Sequence, residues 1–245
     1  MEKFLQQLFN GVSLGSIYAL IALGYTMVYG IINLINFAHG DIYMLGAFIG
    51  FAMTALFHMS FIPALIISMA ACSLIGVVIE KVAYKPIRNS TRIAALITAI
   101  SVSLFLEYGT MYFVSAETRT FPEVLKGKQI SLFSGKVLLN TKDVYIIVIT
   151  VLLMIFLQYI IYKTKVGKAM RAVSTDREAA QLMGINVDAT ISYTFAIGSA
   201  LAGAAGVLVG VYYNSIDPLM GVLPGLKAFV AAGVLVGVYY NSNYI

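Results

Sequence analysis

The chain has 245 residues, of which 60% are hydrophobic and only 11% are charged, and its mean hydropathy is +0.89. Soluble domains are about half apolar and about a quarter charged, so this composition excludes an ordinary soluble domain and indicates an integral membrane protein. The formal net charge of +5 does not indicate a nucleic-acid partner, because the Lys and Arg residues are concentrated in three loops and are better explained as determinants of membrane topology.

Long stretches without Asp, Glu, Lys or Arg define the predicted membrane helices. The first runs from residue 4 to 79 and is interrupted only by Asp41, and the others are 93–106, 144–162, 189–216 and 228–245. At about 20 residues per span, these runs hold about seven helices. The predicted fold class is therefore an all-α integral membrane protein, a polytopic bundle of about seven transmembrane helices in a single domain of residues 1–245.

The apolar stretch from Phe4 to Ala38 is too long for one straight span. As a helix it would extend about 50 Å, whereas the hydrocarbon core is about 30 Å thick. Glycines along it are points where helices pack closely or break. We therefore expect a surface or re-entrant N-terminal piece, followed by a span that ends near Asn36.

Polar residues follow at the end of this stretch. Asp41 precedes the apolar run 42–57, which predicts that it is the N-cap of that helix, with a substrate or ion role as the alternative. Asn33 and Asn36 share a helix face at i, i+3 spacing, where they either face a water-filled path or form hydrogen bonds between helices. His39 has no Cys, His or paired acid at ligand spacing, so no metal site is predicted.

Glu107 is a lone carboxyl group within the predicted span 93–114. A charge inside a bilayer costs on the order of a few kcal/mol unless it is neutral, paired or hydrated. Two explanations are open: Glu107 faces a polar path or pairs across helices, or the helix reaches the membrane interface at this point.

The basic loops predict the topology. Loops 80–92 and 163–188 carry nine Lys and Arg residues between them, and loop 117–143 carries five. One predicted span lies on each side of loop 117–143, so this loop must face away from the other two. Because Lys and Arg accumulate in cytoplasmic loops, we expect 80–92 and 163–188 in the cytoplasm and 117–143 outside.

Loop 163–188 contains a predicted short helix. Thr175 and Glu178 match the S/T-x-x-E pattern of a capping box, so Thr175 is the predicted N-cap of a helix from Asp176 to Met183. Gly184 supplies the residue that can adopt the left-handed conformation at the helix C-terminus. At about 12 Å, this helix is too short to cross a membrane.

One face of this short helix is apolar. Ala179, Leu182 and Met183 share it by their i, i+3, i+4 spacing. The patch either docks a partner or seals the loop against the bundle, and both interpretations remain open on the residues alone.

Five segments carry a resemblance to known proteins. EAAQLMG, at 178–184, resembles the EAA-x3-G loop of ABC importer permeases, which in those proteins forms the coupling helix seated in a groove of the ATPase subunit. The other four resemble, in order, the branched-chain amino acid importer permeases of the LivH family: GVSLGSIYALIALGYTMVYGIINLINFAHGDIYMLGAF (11–48), EKVAYKPIR (80–88), RIAALITAIS (92–101) and PGLKAF (224–229). The resemblance covers nearly all of residues 5–232.

The resemblance implies a membrane-spanning permease subunit of an ABC importer in the bacterial plasma (inner) membrane, which translocates Leu, Ile or Val. The chain has no G-x4-G-K-[ST] phosphate loop, so it is expected to be no enzyme and to hold no cofactor, with ATP and Mg bound by partner subunits. The implied partners are a second related permease, two ATP-binding cassette ATPase subunits and an external substrate-binding protein.

The resemblance also suggests roles for individual residues. The coupling residues toward the ATPase are Arg171, Glu178, Ala179 and Gly184. The candidates for the substrate path are Asn33, Asn36, His39 and Glu107.

A secondary transporter or channel that works without ATPases is the alternative function. Such proteins usually carry ionisable residues at membrane depth for coupling or gating. Here Glu107 and Asp41 are the only candidates, which makes this the weaker hypothesis. A membrane enzyme is weaker still, because no pair of nucleophile and base stands out.

The C-terminal region repeats itself. AAGVLVGVYYNS occurs at 204–215 and again, identically, at 231–242. Because structural repeats diverge in sequence, identity indicates a recent duplication, a recombination or an assembly error. Family members would continue with further membrane helices, so we expect a truncated chain with an irregular tail at 233–245, where the resemblance fails.

Overall fold

The apolar runs form helices in the computed structural model, which describes residues 2–32, 36–88, 90–125, 127, 129–132 and 137–242. The helices are α1 (Glu2–Ile32), α2 (Ala38–Ala55), α3 (Phe61–Ile79), α4 (Lys85–Ile87), α5 (Arg92–Phe113), α6 (Thr141–Lys163), α7 (Lys165–Thr175), α8 (Arg177–Leu182), α9 (Val187–Tyr213) and α10 (Val222–Ser242). The strands are β1 (Arg119–Thr120), β2 (Gln129–Leu132), β3 (Val137–Asn140) and β4 (Ser215–Ile216).

Five described segments are long and apolar enough to cross a membrane: Gln6–Ile32, Phe61–Tyr84, Ile93–Phe113, Thr141–Lys163 and Val187–Tyr213. The prediction of an all-α polytopic membrane protein is confirmed. The sequence indicated about seven spans, and the two helices that are not among these five are α2 and α10. The first turn of α2 contains His39 and Asp41, and the described apolar part of α10 is only Val222–Ala231.

The N-terminal run is one uninterrupted helix. The sequence predicted a surface or re-entrant piece before the first span, but α1 has 31 residues and extends about 46 Å. Gly11 and Gly15 lie within α1 and do not break it. A helix longer than the hydrocarbon core is accommodated by tilt or by emerging from the membrane.

A widened turn continues α3. Residues Glu80–Tyr84 form a π-helix in which the Lys85 N–H donates to the Glu80 carbonyl. Pro86, one residue later, has no N–H to donate and its ring displaces the carbonyl four residues before it. The π-turn thus accommodates the proline.

Helix α9 is the centre of the bundle, and it packs against α1, α2 and α3. Small residues allow this contact: a Cβ built on Gly46 of α2 would lie only 2.5 Å from the Gly203 Cα of α9. Ser68 of α3 donates to the Gly46 carbonyl at 2.8 Å. Most of α9 is buried, whereas α5 and α6 leave most of their surface exposed, as expected for helices at the lipid boundary.

The loops lie at two opposite ends of the bundle. Loop 117–143 reaches the C-terminal end of α9, where β1 pairs antiparallel with β4 and the Thr118 hydroxyl donates to Asp217 at 2.9 Å. Loops 80–92 and 163–188 share the other end, because Arg88 donates to Asp188, the second residue of α9, at 2.6 Å. The structure thus agrees with the parity argument on which loops lie together.

The C-terminal region is helical where an irregular tail was predicted. The backbone of α10 continues from Val222 to Ser242, through the second copy of the repeated segment. Residues 243–245, the end of the predicted tail, lie outside the described residues.

Gly206→Ala tests the close packing of α2 and α9. A Cβ at this position would lie 2.8 Å from the Ala47 nitrogen and closer still to the Tyr43 carbonyl oxygen. We expect a loss of roughly 1–3 kcal/mol from overpacking, despite the gain of about 1 kcal/mol that Ala brings to a helix. The measurement is the temperature at which the detergent-purified protein leaves the monodisperse peak in size-exclusion chromatography.

Gly15→Ala is the matched control for this variant. It also lies within a long helix, but nothing approaches within 4 Å of its Cβ position. It should retain or slightly increase the midpoint temperature, and equal midpoints for the two variants would contradict the packing argument.

Candidate functional site

Helices α7 and α8 form a platform at the end of the bundle that carries loops 80–92 and 163–188. Thr164 caps α7, and its hydroxyl accepts from the Gly167 N–H at 3.1 Å. Gly167, Met170 and Val173 are buried, while Lys165, Lys168 and Arg171 are exposed. This three-residue alternation holds α7 flat on the bundle with its basic face outward.

Asp176, not Thr175, is the N-cap of α8. The Asp176 carboxylate accepts from the N–H groups of Glu178 at 2.9 Å and Ala179 at 3.0 Å. Thr175 is the last residue of α7, and its hydroxyl donates to the Arg171 carbonyl at 3.0 Å. The capping-box prediction therefore fails by one position, because a negative carboxylate at the α8 N-terminus is favoured by the helix dipole.

The C-terminus of α8 has the predicted glycine. Gly184 has φ +82° and donates its N–H to the Gln181 carbonyl at 3.0 Å, and the Ile185 N–H donates to the Ala180 carbonyl at 3.0 Å. These two bonds are the Schellman motif. Helix α8 ends at Leu182, one residue earlier than predicted.

The apolar face of α8 points away from the bundle. Leu182 is 88% and Met183 83% exposed, and Ala179 is exposed beside them. Ala180 is the buried residue of α8. The interpretation that the Ala179, Leu182 and Met183 face seals the loop is therefore excluded, and these three residues, here called the α8 tip, form an unpaired apolar surface.

Two arginines anchor the platform to the ends of other helices. Arg177 donates to the Ile31 carbonyl of α1 at 2.7 Å, and Arg171 donates to the Ile161 carbonyl of α6 while lying 5.4 Å from the centroid of the Tyr162 ring. Carbonyls in the last turn of a helix lack intrahelical partners, and a cation there also complements the helix dipole.

The Arg177 guanidinium is partly withdrawn from water. Burial, and then the nearby charge of Arg88, lower its pKa below the ordinary value. Arg177 nevertheless remains a cation at neutral pH, because a guanidinium is not deprotonated in proteins.

An ionic network that sequence reasoning missed lies beside the platform. Glu80 is fully buried and accepts from Arg88 and from the Ser192 hydroxyl, the latter at 2.7 Å. Asp188 accepts from Arg88 at 2.6 Å and pairs with Lys85 at 2.8 Å. The signal that would have indicated Glu80 is its position as the one acid at the end of an apolar run, followed by three basic residues.

An open groove of about 690 Å³ separates this network from α8. Lys85, Arg88, Arg177, Gln181 and Asp188 are among its lining residues. Of the predicted coupling residues, Glu178 and Gly184 line the groove, whereas Ala179 lies on the tip.

The candidates for the substrate path lie deeper in the bundle. Asn33 falls outside the described residues. Asn36 is buried, and its Oδ1 accepts from the Tyr84 hydroxyl at 2.9 Å. His39 is buried with its ring edge on Tyr25, at a centroid distance of 5.7 Å. In the part of the chain that the structure describes, the Asn36 Nδ2 and both His39 ring nitrogens have no hydrogen-bond partner.

Asp41 is not the N-cap of α2. That helix begins at Ala38 after Phe37 and shows no side-chain cap, so Asp41 lies at its fourth position. The buried Asp41 carboxylate instead accepts from the Ser103 hydroxyl of α5, 62 residues away.

Glu107, one turn further along α5, is also buried and interacts electrostatically with Asp41. The two acids are thus brought together, while Asn36 precedes α2 and His39 is its second residue.

Comparison with known proteins places these features in context. The family model described as branched-chain amino acid transport system / permease component matches residues 7–242. The match extends through the second copy of the repeat, so the expectation that the resemblance fails from residue 233 is wrong. No solved structure matches the chain.

Named relatives agree with this family. The high-affinity branched-chain amino acid transport system permease protein LivH of Salmonella typhimurium is 44% identical, and that of Escherichia coli K12 is 43% identical, each over 93% of this chain and 77% of the relative. The corresponding BraD protein of Pseudomonas aeruginosa is 42% identical over 93% of this chain and 78% of its own. The chain therefore belongs to the family of permease components of branched-chain amino acid transport systems.

Proposed function

We propose that this chain is the membrane-spanning permease subunit of an ATP-binding cassette importer that moves Leu, Ile or Val across the bacterial inner membrane. The family and its relatives support the substrate class. The observation that carries the proposal is the α8 tip, where an exposed apolar surface stands on a rigid, doubly capped helix. Exposed, contiguous apolar surface rimmed by polar residues marks a docking site.

The docking partner is an ATPase subunit. The 245 residues contain no G-x4-G-K-[ST] phosphate loop, so ATP and Mg²⁺ are bound by two such subunits. A second related permease and an external substrate-binding protein complete the assembly. In this arrangement loops 80–92 and 163–188 are cytoplasmic and loop 117–143 is external, in accord with the distribution of Lys and Arg.

Within the permease, Arg171, Glu178, Ala179 and Gly184 couple the chain to the ATPase. Ala179 contributes directly to the apolar tip, Gly184 sets the end of α8 and Arg171 anchors α7 to α6. Glu178 lines the polar groove beside the tip.

The substrate path passes the N-terminal end of α2. Buried polar atoms usually have a partner, so unpartnered atoms of Asn36 and His39 indicate contact with water or substrate at some stage of transport. Asn33 and Glu107 complete the proposed path residues.

Leu182→Ser tests the docking surface. Because Leu182 is exposed, the variant should fold, and loss of a central apolar anchor typically costs about 2 kcal/mol of binding, or roughly thirtyfold. We expect the ATPase subunits to co-purify at least tenfold less with this variant than with the wild type.

Leu219→Ser is its matched control, since Leu219 is 50% exposed beyond α9 at the other end of the bundle. It should capture the ATPases as the wild type does. Equal capture by both variants would refute docking at the tip, and ATP-independent uptake by the chain alone would favour the alternative of a secondary transporter.

Sidedness is tested by labelling in a Cys72→Ser background. A membrane-impermeant maleimide should label Glu117→Cys in intact cells and Ser174→Cys only after permeabilisation, because both positions are exposed but lie in loops at opposite ends. Labelling of Ser174→Cys in intact cells would show that loop 163–188 is external. A cytoplasmic ATPase could then not bind to the α8 tip.

Glu107→Gln tests the intramembrane acid. The amide retains the shape but removes the charge that faces Asp41, so we expect uptake to fall at least about tenfold while ATPase capture stays unchanged. Glu117→Gln, an exposed acid in loop 117–143, is the control. Wild-type uptake and assembly in Glu107→Gln would leave Glu107 with a purely structural role.

A further inference from the structure

We propose that Arg177 is the positioning residue that carries movement of the docked ATPase into α1. The inference rests on the proposed function of α8 as the coupling helix. Its observation is the hydrogen bond from Arg177 Nη2 to the Ile31 carbonyl, 2.7 Å long and joining residues 146 positions apart.

The bond has the properties of a mechanical connection. It is charge-assisted and partly buried, and such bonds are about twice as strong as neutral ones. Its acceptor lies in the last turn of α1, where carbonyls have no intrahelical partner. Arg177 is the first residue of α8 and Leu182 the last, so a displacement at the tip reaches Arg177 through one short helix.

Arg177 is not needed to form α8. Asp176 caps the N-terminus, Gly184 ends the helix, and Ala180 is the residue of α8 that is buried. Removing the guanidinium should therefore leave the docking helix folded, which separates transmission from docking.

The connection leads to the proposed substrate path. Tyr25, two turns before the end of α1, contacts the His39 ring, and the Asn36 side chain accepts from the Tyr84 hydroxyl. By contrast, Arg88 and Glu80 bind the start of α9 to the end of α3 through Asp188 and Ser192. Movement of α8 is therefore transmitted to α1 through Arg177, while α9 remains bound to α3.

The test compares Arg177→Ala, Arg177→Lys and Lys168→Ala in the complete transporter reconstituted in proteoliposomes. ATPase capture, ATP hydrolysis and uptake are measured together, and the decisive quantity is amino acid taken up per ATP hydrolysed. Lys168 is exposed on α7, so Lys168→Ala removes one positive charge from the platform and leaves the Arg177–Ile31 bond in place.

We expect Arg177→Ala to capture the ATPases and hydrolyse ATP at no less than half the wild-type rate, with uptake per ATP reduced roughly tenfold, the scale of one charge-assisted hydrogen bond. Arg177→Lys, which retains the charge and a donor, should recover part of this ratio. Lys168→Ala should match the wild type. Should Arg177→Ala not reach the membrane, an intermediate ratio in Arg177→Lys supports the proposal.

Four results would overturn it. If Arg177→Ala takes up as much amino acid per ATP as the wild type, the bond does not transmit movement. The same conclusion follows from a wild-type value in Arg177→Lys, where only that variant folds. A proportional loss of hydrolysis and uptake shows a general structural role. Loss of ATPase capture makes Arg177 a docking residue and leaves the proposed function intact. Failure of the wild type to capture any ATPase refutes both proposals.

Discussion

The close backbone approach between α9 and its neighbours is the contact on which the rest of the arrangement depends. In lipid no hydrophobic force drives helices together, so association relies on close packing and interhelical hydrogen bonds. Gly203 and Gly206 of α9 meet Gly46 and Tyr43 of α2 at distances that exclude a Cβ. Because α9 begins five residues after α8 ends, this contact also determines the position of the platform, α7 and α8.

The ends of α8 show what local sequence can and cannot predict. Gly184 was identified correctly because a left-handed residue after an apolar helix is a local signal. The N-cap was assigned to Thr175 instead of Asp176, since both are good capping residues and the choice depends on where the preceding helix ends. Helix α7 continues through Thr175, and that extent is determined by the burial of Met170 and Val173 against the bundle.

Contacts across long sequence separations account for the other differences. The apolar run after Asp41 predicts a cap, but its partner, Ser103, lies 62 residues away, and nothing near Asp41 in the sequence indicates a buried hydrogen bond. Family membership, the membrane class and the presence of a short helix before Gly184 were predictable from motifs and charge-free runs. The Arg177–Ile31 and Arg88–Asp188 contacts were not, because they join segments 146 and 100 residues apart and one acceptor is a backbone carbonyl.

The two kinds of contact differ in what they permit. The contacts of Gly203 and Gly206 with α2 cannot slide, since a small shift would bring backbone atoms into collision. The platform is held to α1 and α6 by hydrogen bonds from Arg177 and Arg171 to backbone carbonyls, and a hydrogen bond to a charged group contributes about 1.5–3 kcal/mol. A force applied at the α8 tip would therefore rearrange the polar contacts first. The core of α2, α3 and α9 would then stay in place.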